Sequence, residues 1–232
     1  MNSNLAREGG RRHDWRERFF GRRYRSIPVS GEDAAQVARL RYLLSQGCKE
    51  GLVSTPADWP GAHCIHALLR GVALEGLWFD RTKEFRARRR GITFAPLEFA
   101  TRESVQLTPL PCWSNLQEHE VRSRVADLVR EIEQEARAQQ EETGKAPLGA
   151  AFVRRQDPHS RPVGWKARTA PRAHAATRAA RRVLIEAYRE FQGAYRRAAE
   201  RLAQGDLFAN FPEGSFPPPL PFARGPGRVL SR

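Results

Sequence analysis

Two stretches of this 232-residue chain repeat apolar side chains at intervals of three and four, and that spacing commits much of it to helix. Val121, Val125, Leu128, Val129, Ile132 and Ala136 form one stripe. Val183, Leu184, Ala187, Tyr188, Phe191, Tyr195, Ala198 and Leu202 form the other. Side chains so spaced share one side of a 3.6-residue helix and must be covered. Ser114-Asn115-Leu116-Gln117 has the hydroxyl and amide of a capping box, so the first helix is expected to open there and run to about Glu142. Gly144 then ends it and Pro147 prevents a restart. The second is predicted over 173–204, closed by Gly205. Packing 121–136 against 183–202 predicts a helical hairpin with Tyr188 and Tyr195 in its core. The expected class is mainly α.

Shorter elements precede these. Ser30-Gly31-Glu32-Asp33 supplies a capping hydroxyl and first-turn acids for a helix over 34–46, with Gly47 as its C-terminal stop. Val37, Leu40 and Leu44 mark its buried stripe. Tyr42 lies about 140° from Val37, on the outer side with Ala35, Ala38 and Gln46. A short helix is predicted over 60–71. Leu74 to Phe79 bring Trp78 and Phe79 to a packing corner, and Asp80 caps a basic helix from Arg81 to Arg90 that Gly91 stops. Prolines 96, 109 and 111 make 91–113 read as loop. Residues 153–172 read as a basic linker, interrupted by Pro158, Pro162 and Pro171, that orders on nucleic acid or stays solvated. The proline-rich tail is expected to be extended.

Lysines and arginines number 40 against 26 acids, for a net charge of +14. Such an excess points to a polyanionic partner, most often nucleic acid. Aromatics interleave with cations around Arg18, Arg22, Arg23 and Arg25, where a strand is expected within 18–29. Arg88, Arg89 and Arg90 form a second basic run, and Trp165, Lys166 and Arg168 a third. Rings among cations suit a single-stranded groove, and equally an edge strand with solvated arginines. The three cysteines, Cys48, Cys64 and Cys112, are far apart and suggest no disulfide frame. No apolar run has membrane-spanning length and no signal-peptide core follows Met1, so a cytoplasmic protein with no membrane partner is expected.

The stretch Arg41-Tyr42-Leu43, then Gly51-Leu52-Val53, then Asp58-Trp59-Pro60 resembles the tyrosine-bearing helix of the REP-associated tyrosine transposases, a branch of the single-tyrosine HUH (IS200-like) transposases. That segment of the family reads roughly Arg-Tyr-Ile-x-x-Asn-Pro-Val-x-x-Gly-Leu-Val, then Pro-x-Asp-Trp/Tyr-Pro. Gln46-Gly47 replaces its Asn-Pro. The likeness is specific over residues 1–62 and softer beyond, where Phe211 to Pro218 match a motif of a longer subgroup with a helical extension. It implies the last strand and tyrosine helix of an α+β, ferredoxin-like domain in 1–62. A basic helix and connector then fill 63–113, a helical hairpin 114–204, and a tail 205–232. It makes Tyr42 the catalytic tyrosine, with Arg39 and Arg41 as phosphate contacts, and the ligand single-stranded or hairpin DNA.

In that family a phenol attacks the DNA backbone, leaving a 5′-phosphotyrosine, while a His-x-His pair on a strand holds Mg²⁺ or Mn²⁺. The histidines here are His13, His63, His66, His119, His159 and His174, and no two are two apart. His63 and His66 are expected on a short helix with no metal. A phenol titrates near about 10 in water, so a tyrosine nucleophile needs assistance. The resemblance therefore implies a chain that neither binds the ion nor nicks DNA alone, and that would do so only if a separate polypeptide supplied the half with the histidine pair. A homodimer is also compatible. The alternatives are a non-catalytic basic helical protein that binds DNA or RNA, or a decayed fragment.

Overall fold

The computed structural model describes residues 27–157, 159–160 and 172–218. These are mainly helical, 53% by residue, with one small two-stranded antiparallel sheet. They fall in two compact units, one of residues 33–160 and one of 27–32 with 172–218. The two long helices of the expected hairpin lie in different units.

In the first unit, α1 (Asp33–Lys49), a 3-10 turn (Pro56–Asp58) and α2 (Ile65–Arg70) pack on the long α4 (Glu118–Thr143). The apolar stripe of α4 is buried as its spacing requires: Val125, Leu128, Val129, Ile132 and Ala136 join Leu44, Cys48, Val53, Ile65 and Trp113 in one core. Val37 and Leu40 pack at its edge. The remaining elements of this unit are β1 (Leu74–Phe79), α3 (Arg81–Arg89), β2 (Ala100–Val105) and α5 (Ala150–Arg155).

Several ends differ from expectation, each for a local reason. α1 does not stop at Gly47 but runs to Lys49, and Gly51 takes the left-handed φ of 67° that closes it. Gly47 sits within the helix because a Cβ there would lie 2.9 Å from both the Trp59 ring and the Val53 side chain. Its missing side chain is the seat of Trp59. The capping box is real but shifted by three residues: Gln117 is the cap and Glu120 reaches back to its N–H at 2.7 Å. Ser114 instead follows a 3-10 turn (Pro111–Trp113) that buries Trp113. α2 begins only at Ile65, since the His63 imidazole accepts the Ile65 N–H at 3.2 Å. Gly91 and Gly144 close α3 and α4 as expected.

The stretch 91–113 is not all loop. β1 and β2 pair antiparallel with Trp78 opposite Thr101, and α3 lies between them in sequence. Both strands are exposed along most of their length, so neither carries the apolar alternation that announces a half-buried strand. Trp78 is accordingly exposed and does not fill a packing corner. Likewise residues 150–155 are helical: Ala150, Ala151, Arg154 and Arg155 are good helix formers, and the prolines of the expected linker come later.

The second unit is built on α6 (Arg178–Ala203). The Thr177 side chain caps it, accepting the Ala180 N–H at 3.2 Å. Val29 forms a parallel bridge to His174, all that is described of the strand expected within 18–29. Ser30 N–H donates to the His174 carbonyl at 2.8 Å, and His174 N–H to that of Pro28 at 2.9 Å. Glu32 completes the clamp by accepting the Ala176 N–H at 2.8 Å and the Ser30 hydroxyl at 2.7 Å. At the other end Ala198 and Leu202 are buried, Tyr195 meets Phe211 edge-on, and its hydroxyl donates to the Phe216 carbonyl at 3.0 Å. Tyr188 is exposed, contrary to the core position its spacing suggested, and its oxygen accepts from Gln192.

The Glu32 clamp sets a pH dependence. Hydrogen bonds from the Ser30 and Thr177 side chains, with the helix-end N–H groups, hold its carboxyl down at about 2 against a usual 4.5. A depressed carboxylate stabilises fully above its unfolded pKa and loses that contribution as pH falls toward the folded one. Thermal stability is therefore expected to fall from pH 4.5 toward 2, with Glu32→Gln weaker at neutral pH and flatter over that range. Parallel melting curves would show Glu32 irrelevant.

Candidate nucleic-acid interface

α1 turns its Leu44 side inward, and Tyr42, two residues or about 200° away, outward. Tyr42 is 44% exposed. It lines an open groove of about 360 Å³ whose walls are α1 and α4. Arg39, one turn before, places its guanidinium 5.1 Å from the Tyr42 ring centre, and the Lys49 ammonium lies 6.0 Å from it. Both are cation–π distances. Three cations, Arg39, Arg41 and Lys49, face one carboxylate, Glu135, in the groove wall.

Arg41 is half-buried and pairs with Glu135, with Glu131 at 3.8 Å, so it ties α1 to α4 and its charge is locally met. Arg39 and Lys49 stand over the ring. Lys49 escaped the sequence reading because α1 was expected to stop before it. The Cys48 thiol, also in the groove wall, is pushed up to about 11 by burial, with Glu133 and Asp58 adding to it, and stays protonated at neutral pH.

The other candidates lie elsewhere. Arg88, Arg89 and Arg90 sit at the end of α3, where Arg88 donates to Glu84 at 2.7 Å and stands 5.5 Å from the Phe94 ring centre. Arg18, Arg22, Arg23, Arg25, Trp165, Lys166 and Arg168 fall outside the described residues.

The donor set for a divalent ion is a separate matter. His63 uses Nδ1 to accept the Ile65 N–H, and it also hydrogen-bonds the Leu43 backbone. Burial, with His66 nearby, lowers its pKa and favours the neutral ring. Among the described residues no three His, Cys, Asp or Glu side chains are grouped to hold a metal. These residues do not fit the ion that the transposase resemblance implies. Also among them, no helix is long and apolar enough to cross a membrane. No protein-family model, curated protein or solved structure matches this chain.

Proposed function

We propose that this chain binds single-stranded or hairpin DNA as a relative of the REP-associated tyrosine transposases, with Tyr42 at the DNA. One observation carries the reading: the residue that falls on the family's tyrosine is exposed in an open groove, with Arg39 and Lys49 over its ring. A phosphate entering the groove meets cations beside a phenol, and a base meets a ring it can stack on. The flanking motif Gly51-Leu52-Val53 supports the same reading from the sequence side. Strand cleavage asks for more than these residues offer, since the described donors assemble no metal clamp beside the phenol.

Labelled hairpin DNA with Mg²⁺ or Mn²⁺, offered to the protein and to Tyr42→Phe, tests this. The expected result is salt-sensitive binding by both, with no covalent adduct. An adduct lost in Tyr42→Phe would make the chain a nuclease and overturn the argument from the donor set. No binding at low salt would overturn the DNA reading altogether.

A further inference from the structure

We propose that the outward side of α3 is a second docking surface for single-stranded nucleic acid, with Phe85 as a stacking ring and Arg86 and Arg89 as phosphate contacts. This deepens the nucleic-acid reading above and rests on it, but it names residues well apart from Tyr42 in the sequence. α3 has two distinct sides. Ala87 is buried, and with it Glu84 faces inward, gathering Arg81 and Arg88 into ion pairs. Arg81 and Arg88 also lie over the Phe79 and Phe94 rings, at 4.3 and 5.5 Å, and Phe94 meets Phe99 edge-on. That side is occupied in holding the helix to its hairpin.

The opposite side is not. At about 100° per residue, Phe85 and Arg89 stand roughly opposite Ala87, with Arg86 beside them. Phe85 is 59% exposed, and the Arg89 guanidinium lies 5.9 Å from its ring centre. Arg86, Arg89 and Arg90 are exposed, and no carboxylate of the helix shares their side, since Glu84 points inward. The exposed ring and the Arg89 guanidinium beside it already form a cation–π pair. The combination fits a partner with regularly spaced anions and flat faces. Charge complementarity therefore selects a polyanion, and the ring selects one with unstacked bases.

The test is fluorescence anisotropy with labelled oligothymidylate, which forms no hairpin, across a salt series. Wild type, Phe85→Ala, the pair Arg86→Gln/Arg89→Gln, and the groove pair Arg39→Gln/Lys49→Gln are compared, each with its melting curve. Since the side chains replaced on α3 are exposed, melting is expected to hold. Phe85→Ala is expected to weaken binding at least about fivefold, the low end for removing one stacking ring. The arginine pair is expected to lower the slope of log affinity against log salt by about 1.4, at ~0.7 for each phosphate no longer neutralised. Wild-type affinity and slope in both α3 variants, with loss only in the groove pair, would overturn this surface and leave the groove reading standing. No binding of oligothymidylate by wild type would overturn this surface, and with no hairpin binding either, the groove reading as well. Phe85-dependent binding to phosphatidylglycerol vesicles without DNA binding would overturn the assignment in favour of a membrane surface.

Discussion

Leu44→Ala is expected to destabilise the first unit by about 2–5 kcal/mol, the range for removing a fully buried leucine and leaving a cavity. Leu44 is 1% exposed and sits in the core that α1 shares with α4. Protein interiors are packed tightly enough that neighbours fill such a hole only in part. Leu43, its neighbour, is 58% exposed, and Leu43→Ala is expected to stay within about 0.5 kcal/mol. Denaturant midpoints measure both, and an unchanged slope would show that stability and not compactness has moved. Equal shifts in the two variants would mean that α1 is rotated about its axis away from a buried Leu44, and Tyr42 with it.

The double substitution Arg39→Gln/Lys49→Gln is expected to reduce affinity for hairpin DNA by roughly 25- to 60-fold at ~0.1 M salt. The figure follows from counterion release: each phosphate left without its cation takes about 0.7 to 0.9 from the slope of log affinity against log salt. Two such phosphates therefore remove about 1.4 to 1.8 decades near 0.1 M. Arg41→Gln is expected to do less to that slope, because its charge is already met by Glu131 and Glu135. It should act instead on melting, by leaving those acids unmatched. A salt slope unchanged in the double variant would place the DNA elsewhere than the groove.

How much of this the sequence disclosed depended on the kind of force involved. The stripe of α4, the Asp80 cap of α3 and the stops at Gly91 and Gly144 are local effects, and their residues announce them. Gly47 misled because a glycine signals a stop only where φ is positive, and this one is needed for the approach of Trp59. The β1–β2 hairpin was hidden because α3 separates its strands and neither strand buries a face.

The site divided in the same way. The outward direction of Tyr42 follows from counting residues along one helix. That Arg41 is engaged by acids of α4 depends on which helix packs beside α1, and no single-helix argument supplies it. The Phe85–Arg89 pair was within reach of the sequence, since the two are four residues apart on one helix. The run of arginines that follows Phe85 masked it, because a basic run signals phosphate on its own and gives a single ring no separate weight.

The Glu32 clamp carries a consequence for biosynthesis. Its carboxylate meets an N–H 144 residues further along, so the second unit joins segments that lie on either side of α1–α5 in the chain. A chain emerging from the ribosome can assemble the α1–α4 core while Pro28 to Glu32 still wait for their partners. The order of assembly is therefore written into the topology, with the α1–α4 core able to form early and the Glu32 clamp closing last. Closing so long a loop is slow more than it is costly, because the entropy lost grows only with the logarithm of loop length.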